Sequence, residues 1–120
     1  MSLPYDSATG NKKSRVLEKL SFQFYSVKPS AGNRITAIVG VVASGNLEVL
    51  LERSLPQDKC AIDIATVAFG FSELWQAVLK EFVAGRNPGG LRISINDSGA
   101  RPDTVALRLA QGVRLMERDP

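Results

Sequence analysis

Hydrophobic and polar residues alternate along much of this chain, as they do in a β-strand that buries one face. In residues 17–27 the alternation places Leu20, Phe22 and Phe24 on one side and mostly polar residues on the other. The pattern predicts a half-buried first strand whose apolar side contributes to the core.

Two further strand-like stretches lie close together and predict a β-hairpin. Residues 34–43 are rich in β-branched residues and apolar on both sides, which is typical of a central strand. Residues 47–53 alternate again, and the polar break at 44–46 contains a glycine. Stretches separated by two or three such residues are typical of antiparallel strands joined by a tight turn.

The second half of the chain changes from strand spacing to helix spacing. Residues 60–69 predict a fourth strand, and we expect Ser72 to be the N-cap of the helix that follows. We expect Gly85 to end that helix in the left-handed conformation. Its apolar residues recur every three or four positions, as one helix face requires: Leu74, Trp75, Val78, Leu79 and Phe82.

One more strand and one more helix complete the pattern. Residues 91–96 alternate and predict the last strand, and residues 103–117 predict a helix with one apolar face. The order β-β-β-β-α-β-α indicates an α+β fold, a single and mostly antiparallel sheet of about five strands with two helices packed on one face. The residues expected on the buried face of the last helix are Val105, Leu109, Val113 and Met116.

Length and composition are those of one domain. The chain has 120 residues, of which 44% are hydrophobic and 22% are charged, so it can bury a core without disulfides or metals. Residues 1–15 are polar, rich in turn formers and aperiodic, and we expect a flexible N-terminal segment ahead of one domain at residues 16–120. Most of the net charge of +3 lies in that segment, so the domain itself is nearly neutral.

The residue types that are missing exclude several kinds of chemistry. The chain has no histidine and one cysteine, which excludes histidine-based nucleophilic pairs, histidine metal sites and an internal disulfide. We expect Cys60 to be a small buried hydrophobe. Because no apolar run is long enough to cross a membrane and no signal-peptide pattern opens the chain, we expect a cytoplasmic protein.

Other candidate sites have simpler explanations. Glu48 and Glu52 lie four residues apart on one strand face, a separation of about 13 Å, which is too large for a glycosidase pair. The glycine-rich residues 85–90 lack the lysine and hydroxyl of a phosphate-binding loop. No aromatic RNA-binding motif accompanies the arginines of the last helix and the aromatics of the first strand. Those residues are Arg101, Arg108, Arg114, Phe22, Phe24 and Tyr25.

Two serines occupy predicted turns, Ser44 in Ser-Gly-Asn and Ser98 in Asp-Ser-Gly. Spacing alone explains both as turn residues. A serine at a hairpin tip is nevertheless accessible to a modifying enzyme and is held by a rigid scaffold, so an attached group would project outward.

Residues 39–52, VGVVASGNLEVLLE, resemble the acyl carrier subunit of bacterial malonate decarboxylase and, more distantly, that of citrate lyase. Segments 20–24, 95–100 and 108–112 match in the same order. The Ser-Gly pair followed by Leu-Glu-Val-Leu-Leu-Glu is the specific part, and the resemblance extends over residues 18–117. It implies a non-catalytic carrier whose chemistry belongs to its partner subunits.

In that family the serine of a Ser-Gly-Asp turn carries a 2′-(5″-phosphoribosyl)-3′-dephospho-CoA arm through a phosphodiester. The resemblance implies that Ser44 is the attachment residue and that Gly45 and Asn46 shape the turn, with Ser98 the weaker candidate. Asn46 stands where the family has aspartate. Asparagine favours the same turn, but a transferase that reads the carboxylate would modify this chain more slowly.

The implied partners are an acetyl/malonyl transferase subunit, the decarboxylase subunits and a prosthetic-group transferase, with no nucleic acid and no membrane. Arg34 and Arg53 flank the hairpin and are explained either as contacts for the arm's phosphates or as solvated strand-end charges. Two alternatives stay open. One is the citrate lyase carrier, and the other is an unmodified interaction or RNA-binding domain that uses the basic tail and the arginines of the last helix.

Overall fold

A computed structural model describes residues 16–40 and 47–118. The predicted order β-β-β-β-α-β-α is confirmed, and with it the α+β class. The predicted flexible segment 1–15 lies outside the described residues. The elements are β1 (Glu18–Tyr25), β2 (Thr36–Val39), β3 (Leu47–Arg53), β4 (Lys59–Thr66), α1 (Ser72–Arg86), β5 (Leu91–Asp97) and α2 (Pro102–Met116).

The strands form one five-stranded sheet in the order β1-β4-β5-β3-β2. Neighbouring strands are antiparallel except β4 and β5, which run parallel. Parallel strands need a crossover connection, and α1 lies between β4 and β5 in the chain. The sheet is therefore mixed but mostly antiparallel, as expected.

The two faces of the sheet differ because side chains alternate along each strand. On one face Ile62, Ile93 and Val49 join a core cluster that also contains the buried sides of α1 and α2. The opposite face is polar, and on it Arg92 Nη1 lies 2.9 Å from Asp63 Oδ2. The molecule has two layers, with both helices contributing to the same core.

Most of the predicted core residues are confirmed, because the alternation and the helix spacing describe the helix-covered face correctly. The predicted residues that are buried or packed against the core are Leu20, Phe22 and Phe24 of β1, Cys60 of β4, Leu91, Ile93 and Ile95 of β5, and Val105, Leu109, Val113 and Met116 of α2.

The prediction of a central strand at residues 34–43 is wrong, because β2 is an edge strand. Ala37 and Val39 are buried, whereas Ile35 and Ile38 are 70% and 62% exposed. β-branched residues favour extended backbone even where one side faces solvent, so an apolar stretch does not by itself indicate burial on both faces.

The predicted β-hairpin is confirmed in its strands. β2 and β3 pair antiparallel, with Val39 opposite Val49 and Thr36 opposite Glu52. β3 also pairs with β5 on its other side, so the second strand of the hairpin lies inside the sheet. The predicted break at 44–46 lies outside the described residues.

Both predicted ends of α1 are wrong by one or two residues. The N-cap is Phe71, which makes no side-chain capping hydrogen bond, and Ser72 is already helical. At the other end Gly85 is inside the helix, and Asn87 adopts the left-handed conformation with φ 51° and donates its N–H to the carbonyl of Val83. Asparagine tolerates this conformation better than most residues, and the proline that follows cannot continue a helix.

Candidate functional site

The segment that contains the predicted attachment residues is fixed at both of its ends. Ser44, Gly45 and Asn46 themselves lie outside the described residues. Gly40, at one end, has φ 89°, and a Cβ placed on it would overlap the backbone carbonyl of Leu47 at the other end. The backbone therefore leaves β2 and enters β3 at directly neighbouring points, and only glycine permits this approach.

Several other chain segments end at the same edge of the sheet. Leu47 is opposite Asp97 in the β3–β5 register, and Thr66 is opposite Asp97 in the β4–β5 register. The carboxyl ends of β4 and β5 thus meet the start of β3, and the loops that lead into α1 and α2 begin there. We call this edge, marked by Gly40, Leu47, Thr66 and Asp97, the hairpin end.

A buried carboxylate organises the loop from β5 to α2 at the hairpin end. Thr66 Oγ1 donates a hydrogen bond of 2.7 Å to Asp97 Oδ2. The N–H groups of Gly99 and Ala100 donate to Asp97 Oδ1 at 3.1 and 2.7 Å. This arrangement fixes the turn around Ser98, the weaker of the two serine candidates, and leaves that residue partly buried.

Arg108 of α2 points toward the hairpin end. Its Nε is buried and finds no hydrogen-bond partner among the described residues. An ideal Cβ on Gly40 would lie 3.3 Å from this nitrogen. A guanidinium N–H that has lost water without gaining an acceptor is costly, so this atom marks a position where an acceptor is needed.

Arg34 and Arg53 do not belong to the site, and the prediction that they contact the arm's phosphates is not supported. Arg53 is the last residue of β3, at the strand end remote from the hairpin end. Its guanidinium donates to four backbone carbonyls, those of Ser30, Ala31, Arg34 and Met116. Arg34 Nε donates to the carbonyl of Thr36 at the same remote edge. The hydrogen bonds described for both arginines are to backbone carbonyls.

An apolar cleft opens between α1 and α2 at the hairpin end, with a volume of about 160 Å³. Trp75 and Val105 form part of its wall. Phe71 and Leu74, the latter predicted to be part of the buried stripe of α1, line it while remaining 49% and 47% exposed. The hairpin end therefore combines an apolar opening with one buried guanidinium nitrogen that has no partner among the described residues.

Cys60 is not a nucleophile in this fold. It is 1% exposed, and desolvation by burial raises the pKa of its thiol to about 12. The thiolate, which is the reactive form, is therefore absent at neutral pH. The prediction that Cys60 acts as a buried hydrophobe is confirmed.

The remaining candidate groups assemble no reactive site within the described ranges. Glu48 lies on the polar face, where Asn96 Nδ2 is 3.4 Å from its Oε1. Glu52 lies on the same face opposite Arg92. In residues 16–40 and 47–118 no group of three or more histidine, cysteine or acidic side chains is placed to hold a metal ion. None of the helices there is long and apolar enough to span a bilayer.

The residues considered for RNA binding are dispersed. Phe22 and Phe24 stack with ring centroids 6.4 Å apart and pack against the core. Arg108 is partly buried at the hairpin end, whereas Arg114 is exposed on α2. Tyr25 is 79% exposed but alternates onto the sheet face opposite to Phe24. A platform of exposed aromatics beside basic residues does not form in the described part of the chain.

Sequence reasoning missed two residues at the hairpin end. Asp97 follows the predicted last strand, and its sequence context does not indicate that it anchors the following loop. Arg108 enters the sequence analysis only among the arginines considered for RNA binding, although it falls at helical spacing between Val105 and Gly112 on the buried side of α2. A charged residue within an apolar stripe was the available signal.

The fold and the hairpin end define a class: a small two-layer α+β domain in which the paired strands β2 and β3 flank a segment that contains a serine. The sequence model of one family, the malonate decarboxylase delta subunit (MdcD), matches residues 34–116. The chain belongs to this family of acyl carrier proteins. It is accordingly a carrier subunit rather than a catalytic one, and the predicted resemblance is confirmed.

Relatives and a solved structure agree over most of the chain. The malonate decarboxylase acyl carrier protein of Bradyrhizobium diazoefficiens is 61% identical over 98 residues, which are 82% of this chain and 93% of the relative. That of Burkholderia cepacia is 50% identical over 95 residues, 79% of this chain and 86% of the relative. A chain in the crystal structure of a Pseudomonas malonate decarboxylase hetero-tetramer in complex with malonate superposes with a TM-score of 0.72 at 41% identity, covering 82% of this chain and 98% of that one.

Proposed function

We propose that this carrier transports acetyl and malonyl thioesters within a cytoplasmic malonate decarboxylase complex. The thioesters would be held on a 2′-(5″-phosphoribosyl)-3′-dephospho-CoA arm joined to Ser44 through a phosphodiester. The observation that supports this most strongly is the position of Ser44 in the family-matched region, in a segment whose two ends are fixed side by side by β2 and β3.

The described residues at the hairpin end fit an anionic group of this kind. Gly40 presents no side chain there, and the buried Nε of Arg108 has no acceptor within residues 16–40 and 47–118. Asp97, which is opposite Leu47 at this edge, already accepts three hydrogen bonds from Thr66, Gly99 and Ala100. The arm itself would supply the terminal thiol that carries the acyl group.

The contribution of the protein is a rigid base for that arm. β3 is paired on both sides, and its inward residues Leu47, Val49 and Leu51 are completely buried. A fixed base limits the thiol to the volume that the arm sweeps. This keeps the acyl group at a high effective concentration near every active site within reach.

The proposed partners follow from the complex in which the solved relative occurs. That relative is part of a malonate decarboxylase hetero-tetramer, and we propose that this chain assembles in the same way. The acetyl/malonyl transferase subunit would exchange acetyl for malonyl on the arm, and the decarboxylase subunits would release carbon dioxide and regenerate the acetyl thioester. A separate prosthetic-group transferase would attach the arm.

Intact mass tests the proposal directly. The full-length chain would be produced alone and together with the prosthetic-group transferase and the enzyme that makes its substrate, with Ser44→Ala and Ser98→Ala as matched variants. We expect an adduct of the mass of the arm only with the transferase, absent in Ser44→Ala and retained in Ser98→Ala. If the Bradyrhizobium relative is modified under these conditions and this chain is not, the carrier function is wrong.

The same system tests the substitution at the turn. If the transferase reads a carboxylate at position 46, Asn46→Asp raises the initial rate of modification. If it reads only the shape of the turn, the two rates are equal, because asparagine and aspartate support the same turn. A time course of the intact mass at equal protein concentrations distinguishes these results.

A further inference from the structure

We infer that the outer edge of β1 is the docking site for an extended segment of a partner subunit, which adds one more strand to the sheet. The segment carries apolar side chains on the side of the helices and acidic side chains on the polar face. This inference rests on the proposed function, because it requires that the chain assembles with other subunits. It adds the surface by which one of them is held.

The backbone of β1 is paired on one side only. All eight residues of β1 pair with β4, and β1 is the first strand in the order of the sheet. The N–H of Ser26 donates to the carbonyl of Asp58, in the register of this pairing. Because bonded and non-bonded pairs alternate in an antiparallel ladder, the N–H and C=O groups of every second residue point away from β4. These groups form no hydrogen bond within residues 16–40 and 47–118, and they belong to Lys19, Ser21, Gln23 and Tyr25.

The two edges of the sheet differ in their protection. Natural sheets protect an edge strand by making it short, charged or bulged, or by covering it. β2 has only four residues, and the outward carbonyl of Thr36 accepts a hydrogen bond from Arg34 Nε. β1 has eight residues in unbroken register without proline or glycine, and residues 20–25 carry no charge. The edge of β1 is therefore the one that accepts another strand.

The helices leave the apolar side of β1 incompletely covered. Leu20, Phe22 and Phe24 pack against the core but remain partly exposed. Their cross-strand neighbours on β4 are buried, namely Ile64, Ile62 and Cys60. On a strand added at this edge, the apolar residues at every second position lie beside the exposed row and remove it from water.

The polar side of the same edge is cationic. Lys19 and Lys59 lie on the polar face toward the two ends of β1, and neither forms an ion pair in the described part of the chain. Asp63, the acidic residue between them, already accepts hydrogen bonds from Ser21 Oγ at 2.8 Å and from Arg92 Nη1 at 2.9 Å. Opposite charges on neighbouring strands stabilise their pairing and like charges destabilise it. Charge complementarity therefore favours a segment whose polar side is acidic.

A partner held at β1 leaves the hairpin uncovered. The order β1-β4-β5-β3-β2 places β1 and β2 at opposite edges of the sheet, about 19 Å apart over four strand spacings. Docking at β1 thus fixes the domain without blocking β2 and β3. In the proposed complex the neighbours of the carrier are other subunits, so we assign the added strand to one of them rather than to a second copy of this chain.

Amide hydrogen exchange tests the inference residue by residue. The full-length chain would be exchanged alone and in the complex with its transferase and decarboxylase subunits, then quenched and read by NMR on the separated chain. In the free chain we expect the outward amides of Ser21, Gln23 and Tyr25 to exchange more than about 10-fold faster than those of Phe22 and Phe24, which donate to β4. In the complex the outward amides should slow to the rate of their neighbours. Outward amides that exchange equally fast in both states would overturn the inference.

The free chain also identifies the other possible occupants of the edge. Outward amides that are protected at every protein concentration would show that another segment of this chain pairs with β1. Protection that increases with protein concentration would show that a second copy does. Either result contradicts docking of a partner subunit.

A proline substitution tests the edge by affinity. Gln23→Pro removes an outward N–H and leaves the hydrogen bonds to β4 in place, whereas Gln23→Ala changes only the side chain. Ile38→Pro makes the same change at an outward position of β2. We expect Gln23→Pro to weaken binding to the other subunits about tenfold and the two controls to change it little. Equal affinities of the proline and alanine variants at position 23 would contradict the inference, and the exchange experiment decides the question if Gln23→Pro does not fold.

These outcomes are distinct from those of the intact-mass experiment. A chain that is modified and assembles, but whose outward amides stay unprotected in the complex, contradicts only the docking site. A chain that acquires no adduct contradicts the carrier function, and protection of its outward amides by the other subunits would still support the docking site. A chain that does not bind these subunits contradicts both.

Discussion

Arg53 lies at the edge of the domain opposite the hairpin end, where it joins several chain segments. Its replacement tests how much these contacts contribute to the stability of the domain. Its guanidinium donates to the carbonyls of Ser30 at 2.9 Å, Arg34 at 2.9 Å and Met116 at 2.8 Å, and to the more exposed carbonyl of Ala31 at 3.2 Å. Met116 ends α2, where a cation also interacts favourably with the helix dipole. One side chain thus joins β3, the loop before β2 and the last helix.

The expected loss of stability follows from the number of hydrogen bonds that Arg53 makes. Three of the four bonds are partly buried, and water will replace the exposed one. At about 1 kcal/mol for each partly buried bond, Arg53→Ala should lower the free energy of unfolding by about 3 kcal/mol. Arg53→Lys should lose about half as much, since one ammonium group cannot reach acceptors that lie in three directions.

Urea unfolding followed by the fluorescence of Trp75, which is buried, measures these losses. With an m-value of about 1.5 kcal/mol/M, Arg53→Ala should lower the midpoint by about 2 M. Arg114→Ala, on an exposed position, should change it little. A loss below about 1 kcal/mol in Arg53→Ala, or equal stability of the lysine variant and the parent, would refute the reasoning.

Three further predictions concern single residues. Gly40→Ala should lower the free energy of unfolding by more than about 2 kcal/mol, because its Cβ would overlap a backbone carbonyl. Gly70 has a similar φ of 88° but open space around it. Gly70→Ala should therefore cost only the backbone strain of the left-handed conformation, about 1–2 kcal/mol. Gly112→Ala should lower the free energy of unfolding, because its Cβ would lie 2.5 Å from the fully buried side chain of Leu51. Gly85→Ala, at an exposed position of α1, should instead raise it by about 0.5–1 kcal/mol. Urea unfolding of both variants shows whether the two changes have opposite signs. Burial raises the pKa of Cys60 from 9.0 to about 12, so its contribution to stability is complete below pH 9 and falls as the pH rises toward 12, by about 1 kcal/mol between pH 9 and pH 10. Subtracting the pH profile of Cys60→Ala isolates this term, and parallel profiles would contradict it.

The local patterns predicted the elements well because each element of this fold has one buried side. Leu20, Phe22 and Phe24 alternate in sequence and pack on one face in the structure. The apolar spacing of α2 likewise identifies the residues that the structure buries. In a two-layer domain each strand and helix buries one side, so the residues that recur with the period of the element are the buried ones. The sequence pattern therefore identifies the core residues directly.

The patterns could not predict what depends on the order of strands. β2 reads as a central strand because Ile35 and Ile38 are as hydrophobic as the buried Ala37 and Val39. The neighbour of each strand is decided by long-range pairing, which leaves no local trace. Arg108 is a similar case, because its position beside Gly40 follows from the packing of α2 against β2, which no local pattern shows.

The attachment residue was predicted from resemblance, and a peptide map tests it most directly. Trypsin cleaves after Arg34 and Arg53 and releases residues 35–53, in which Ser44 is the only serine, while Ser98 falls in a different peptide. In protein co-produced with the transferase, we expect the mass of the arm on peptide 35–53, with fragment ions that place it on Ser44. The arm on the peptide that contains Ser98, or no arm on a chain produced beside a modified relative, would contradict the account.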